Sequence, residues 1–191
     1  MDSKKSRTSK IGREGISTIQ VCGQRGRNIT VALTISPTNG LVFHSAFLGG
    51  MTVQRFNDFL TKARLNRDPN EHVIFIYDGA QANNNLAIPG SNSELKKLPP
   101  YSSFLNLVEQ AISALKAAIK ADISRPEQQE QMNNREEARR QGIALGNFRT
   151  QLLLHTMQRN IGTITAAKCV QWYRLMQTYI PRCLNSEEIE A

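Results

Sequence analysis

Five consecutive apolar residues, Val73-Ile-Phe-Ile-Tyr77, constrain this chain more than any other stretch. A strand that is apolar on both sides must be buried on both faces, so it belongs inside a sheet with layers packed above and below. Asp78 stands at its end, and Gly79 lets the chain turn away. Further on, Leu98-Pro-Pro-Tyr-Ser-Ser stops the backbone. From Ser103 the residues Phe104, Val108, Ala111, Ile112, Leu115 and Ile119 keep helical spacing, and Glu109 lies near the start of that helix. Each acid alone has a plain explanation: Asp-Gly is a common turn, and a carboxylate suits the first turn of a helix. Together they can converge on one point, an arrangement that suits a divalent cation such as Mg2+. Two such ions can clamp the attacking and leaving oxygens of a phosphodiester exchange.

The rest of the chain supplies a scaffold for that pair. Residues 1 to 15 read as a basic arm, with Lys4, Lys5, Arg7, Lys10 and Arg13 against Asp2 and Glu14. Three β-type segments follow, at 16–23, 28–36 and 41–47, separated by the turn QRGRN and by Pro37-Thr-Asn-Gly40. They predict an antiparallel meander. Thr52 is a candidate N-cap for a helix to Leu65 that buries Val53, Phe56, Phe59, Leu60 and Ala63. A meander, then a helix, then a buried strand implies a mixed α/β sheet with helices packed on it. Residues 94–98 read as a short edge strand.

Ser124-Arg-Pro marks a boundary. Beyond it the chain is helical: an amphipathic segment from Ile143 to Met157, weakened by Gly142 and Gly146, then a helix capped by Thr163 or Thr165 and stopped by Pro181. The organisation expected is therefore a basic arm at 1–15, a sheet-containing domain at 16–125 and a helical extension at 126–191.

A net charge of +8 makes nucleic acid a natural partner, although no run of five like charges occurs. Lys96, Lys97 and Lys116, with Arg25 and Arg27 in the hairpin turn, are candidate phosphate contacts. Cys22, Cys169 and Cys183 are far apart with no CxxC pair, so reduced thiols are expected and a zinc site is not. No apolar run reaches the roughly 20 residues that span a bilayer. No secretory pattern stands at the N-terminus, and neither G-x-S-x-G nor a phosphate-binding Gly-Lys-Ser/Thr loop occurs, which disfavours hydrolase and NTPase readings.

The stretch LPPYSSFLNLVEQ resembles the LPPYSPxLNPIE signature of the mariner superfamily of DDE transposases, at Leu98, Pro99, Pro100, Tyr101, Ser102, Leu105, Asn106 and Glu109. YDGAQANN resembles the family's strand-end acid motif, with Asn83 where a His is usual; Ser103 and Leu107 replace two later prolines. The resemblance implies a ribonuclease-H-like fold in which Asp78 and Glu109 are the second and third acids of a catalytic triad. It further implies two Mg2+ or Mn2+ ions, DNA cleavage and strand transfer, transposon-end DNA as partner, a homodimer as a further one, a nuclear location, and neither a membrane nor a small-molecule substrate.

The family's first acid stands on the central strand of the sheet, and residues 5–15 resemble the loop that follows that strand. The expectation is thus a ribonuclease-H-like sheet lacking its first central strand, with a gap between the meander and the Asp78 strand and with activity absent or very low. A residual nucleic-acid-binding or interaction module is the alternative, and a product that does not fold stably is a third reading.

Overall fold

The computed structural model describes residues 11–19 by their backbone and 29–77, 86–99 and 102–185 in full. Among these residues five strands form one sheet: β1 (Ile11–Ile19), β2 (Ile29–Ser36), β3 (Gly40–Leu48), β4 (Val73–Tyr77) and β5 (Ser93–Lys97). Their order is β3-β2-β1-β4-β5. The first three strands make the expected antiparallel meander, whereas β1–β4 and β4–β5 are parallel pairs. This mixed sheet is ribonuclease-H-like.

The expected gap beside β4 is not there. Ile11–Ile19 occupies the central position, pairing with β2 from Arg13↔Ile35 to Ile19↔Ile29 and with β4 from Ile11↔Ile74 to Glu14↔Tyr77. Residues 11–15, read above as the end of a basic arm, are therefore strand. Gly12, Arg13, Glu14 and Gly15 are poor β formers, which is why their sequence conceals it. Ladder hydrogen bonds on both sides override a propensity scale that spans only about 1 kcal/mol.

Among the described residues, the helix at Val53–Leu65 covers one face of the sheet, and those at Leu107–Ile123 and Ala166–Leu184 pack on the other. α1 (Val53–Leu65) is capped by Thr52, whose hydroxyl accepts from the Arg55 N–H at 3.2 Å. Phe56, Leu60 and Ala63 of α1 form a cluster with Val73 and Phe75, joined by Phe43 and Tyr77. On the opposite face, Ile29, Val31, Leu33 and Ile35 of β2 meet Leu107, Val108, Ala111, Ile112, Leu115 and Ile119 of α2 (Leu107–Ile123). Every residue of β2 is buried, as expected for a strand covered on both sides.

Pro126 opens α3 (Pro126–Asn133) in the first turn, where its missing N–H costs nothing. α4 (Arg135–Arg140) ends at Gly142, whose φ of +68° lets the Gly142 and Ile143 amides bond back to Arg139 and Ala138. α5 (Leu145–Asn160) and α6 (Ala166–Leu184) are the last described helices, the latter capped by Thr165. Leu153 and Met157 of α5, with Cys169 and Met176 of α6, belong to the same core cluster as β2 and α2. Trp172 and Tyr173, partly buried, pack against that cluster. Pro181 does not stop α6, which runs through it to Leu184. A proline this close to a helix end removes a single backbone hydrogen bond. Among the described residues no helix is long and apolar enough to cross a membrane.

Candidate functional site

The site is built on the C-terminal end of β4 and the N-terminal end of α2. Val73, Phe75 and Tyr77 belong to the α1 side of the sheet, so the alternate residues Ile74 and Ile76 belong to the α2 side. β4 is described up to Tyr77; Asp78, Asn83, Arg25 and Arg27 lie outside the described residues. The Leu98 amide donates to the Tyr77 carbonyl at 2.8 Å, which ties the chain after β5 to the last described residue of β4. Ser102 then donates to the Pro99 carbonyl at 2.6 Å, and a 3-10 turn at Ser103–Leu105 folds the chain into α2. The chain that leaves β5 is thus hydrogen-bonded to the end of β4 before it reaches the Glu109 helix.

Glu109 is in the first turn of α2, half-buried, two residues later in the chain than the helix start at Leu107. It follows Asn106, whose Oδ1 accepts from the Val108 N–H at 3.2 Å and caps the helix. The helix begins here and not at Ser103, because Ser103–Leu105 is the separate 3-10 turn. Asn106 is the residue that sequence reasoning underused. Asn three positions before Glu is a capping-box pattern, so the signal was present. Asn106 is 2% exposed and its Nδ2 has no hydrogen-bond partner among the described residues.

The lysines are placed unequally. Lys96 and Lys97 are in register with Ile76 and Tyr77, level with the end of β4. Lys96 is engaged, its Nζ 2.8 Å from Glu94 Oε2. Hydrogen bonding to Lys96 is the main cause that holds the Glu94 carboxyl below its ordinary range, with His72 adding to it. Lys116 is exposed on α2, two turns beyond Glu109. His44 faces Gln158 at 3.2 Å and His155 is exposed, neither beside the candidate acids in sequence or pairing.

A divalent cation needs more oxygen donors than the described residues bring together. Among them no three His, Cys, Asp or Glu side chains form a metal-holding group. The single acid of β1, Glu14, is in register with Tyr77 on one side and Thr34 on the other. Tyr77 belongs to the α1 side, whereas Gly15 is in register with Leu33 of the α2 side. Residues in register share a face of the sheet, so the position of Glu14 is on the face away from Glu109. The described residues therefore do not complete a carboxylate set for two ions.

No curated protein matches the chain. Among solved structures, the catalytic domain of Mos1 mariner transposase is similar at 16% identity, with 87% of this chain and 83% of that chain covered and a TM-score of 0.47. The Mos1 strand transfer complex aligns at 14% identity over 87% of this chain with a TM-score of 0.46. A Mos1 transposase paired-end complex with left transposon end aligns at 16% identity, also over 87% of this chain, with a TM-score of 0.45. The chain spans 55% and 56% of the transposases in those two complexes. The family described as DDE superfamily endonuclease matches residues 2–133, more than half of the chain. The chain belongs to the DDE superfamily endonuclease family.

Proposed function

We propose that this chain is the catalytic domain of a mariner-type DDE transposase, acting on DNA by cleavage and strand transfer, with a carboxylate set that is incomplete within these residues. The observation that carries the reading is the site's frame: the chain leaving β5 is hydrogen-bonded to the residue before Asp78 and leads into the helix whose first turn holds Glu109. In this reading Asp78 and Glu109 are the chain's own ligands for Mg2+ or Mn2+, which stabilise charge on the oxygens of the reacting phosphodiester. The protein's part is to hold the two acids at fixed elements and to orient the phosphate backbone. Lys97 and Lys116, with Arg25 and Arg27, are the phosphate contacts, and Lys96 joins them once Glu94 releases it. Transposon-end DNA and a second copy of the chain are the partners, in the nucleus.

A nicking assay on duplex DNA with Mg2+ or Mn2+ tests this. The chain as it stands is expected to cut at trace level or not at all. Gly15→Asp, which places a carboxylate on the Glu109 face of β1, is expected to raise cutting, and Asp78→Ala or Glu109→Ala to abolish the gain. Cutting that survives both alanine substitutions would overturn the site. A folded Gly15→Asp protein that binds DNA in a salt-dependent way yet never cuts would favour the second reading, a nucleic-acid-binding module, which the +8 charge supports.

A further inference from the structure

Asp122 stands in the last turn of α2, where the negative end of the helix dipole disfavours an anion. Its side chain is nevertheless only 7% exposed, sealed by the groups that bind it. Its Oδ2 accepts from Arg159 Nε at 3.0 Å, Arg159 Nη2 at 2.8 Å and Asn160 Nδ2 at 2.7 Å. Arg125 Nη1 approaches Oδ1 at 3.6 Å. Asn160 also donates to the Thr156 carbonyl, and Arg159 also reaches Gln128, so the donors are fixed to α5 and α3. Hydrogen bonding to Arg159 first, and to Asn160 second, holds the Asp122 carboxyl below its ordinary range.

Both principal donors lie at the end of α5, beyond residue 133 where the family match ends. Leu153, Met157, Cys169 and Met176 of the same C-terminal helices share the core of α2. α2 contains no Gly or Pro between Leu107 and Ile123, so it moves as one rod and a constraint at Asp122 is felt at Glu109.

We propose that Asp122 is a positioning residue: by locking the end of α5 to the end of α2, it makes the C-terminal helices the element that fixes α2, and Glu109 with it, against the sheet. The importance of Glu109 rests on the functional reading above; the lock on α2 does not.

Hydrogen exchange without DNA or metal tests the lock independently of cleavage. Asp122→Ala is expected to speed exchange about tenfold at the Ala111–Leu115 amides, next to Glu109, the effect of losing roughly one charge-assisted hydrogen bond. Asp122→Asn, which keeps an oxygen acceptor for Arg159, is expected to restore part of the protection. Leu153→Ala, which weakens the same core without touching the carboxylate, is the comparison, with urea used to match global stability. The proposal is overturned if faster exchange in Asp122→Ala stays confined to the ends of α2 and α5. It is equally overturned if Leu153→Ala gives the same pattern. Arg159→Gln, which leaves the carboxylate with Asn160 and Arg125, replaces Asp122→Ala should that variant fail to fold, and is read by the same criteria.

Discussion

Gly40 offers a quantitative test of how the C-terminal helices meet the sheet. It closes the β2–β3 hairpin at φ +69°, and a Cβ built there would stand 3.0 Å from both the Cα and the N of Ala166, the first residue of α6. Those are backbone atoms, so they cannot rotate aside. Gly142 has nearly the same φ, +68°, but a Cβ there meets nothing within 4 Å. The two glycines share the conformational cost and differ only in the contact. A left-handed backbone costs an alanine about 1–2 kcal/mol. The stiffer unfolded chain returns about 0.4–1 kcal/mol of that. Gly142→Ala should therefore lose about 0.5–1 kcal/mol. Gly40→Ala carries the same loss plus an overpacking cost of about 1–3 kcal/mol. With a urea slope of about 2 kcal/mol per molar, its unfolding midpoint should lie about 0.5–1.5 M below that of Gly142→Ala. Urea melts followed by far-UV circular dichroism provide the measurement, with equal slopes as the check that only stability has changed. Equal midpoints for the two variants would refute the reasoning, because α6 would then not press on the hairpin.

Three further outcomes are expected. Burial pushes the Cys169 thiol up to about 11, so in a Cys22→Ser background a disulfide reagent at pH 8 should modify the exposed Cys183 at once and Cys169 only on unfolding; prompt reaction of both would place α6 off the core. The Asp122 carboxyl is held below its ordinary value, so its stabilisation is fully present above the unfolded value of about 3.9 and is lost as the pH falls through the folded value. The Tm gap between the wild type and Asp122→Asn should thus stay constant from neutral pH down to about pH 5 and close below about pH 4; a gap that persists in acid would show that the charge is not its source. Under the DNA-binding part of the proposed function, Glu94→Gln should release Lys96 and tighten duplex binding, while Lys116→Ala should weaken it and lower the salt slope by about one. Unchanged binding in both would remove these lysines from the interface.

Much of the scaffold could be read from local signals. Thr52, Pro126 and Thr165 announce helix starts by side-chain chemistry that acts within one turn, and Val73–Tyr77 announces a strand inside the sheet by composition alone, although only Val73 and Phe75 are fully buried and Ile74 and Ile76 on the other face are half-buried. The central strand could not be read in this way. Its first half, Gly12-Arg-Glu-Gly15, is defined by partners on two sides that are distant in sequence, and no local pattern encodes such pairing. The role of Asp122 was hidden for the same reason, since its partners Arg159 and Asn160 lie on another helix. For the site, the spacing put Glu109 near a helix start, and α2 begins two residues before it, while the α1-side position of Glu14 follows only from the strand register.

The position of β1 also governs how the chain can fold. β1, β2 and β3 can zip together from neighbouring hairpins, which closes short loops. Pairing Ile11–Glu14 with Ile74–Tyr77 must instead wait until the meander and α1 have formed between them. Until that happens β1 and β4 each expose a row of unpaired backbone groups in the nascent chain. The rate-limiting step should therefore be the closing of β4 onto β1, and the vulnerable species on the pathway is an open sheet whose facing edges invite pairing between molecules.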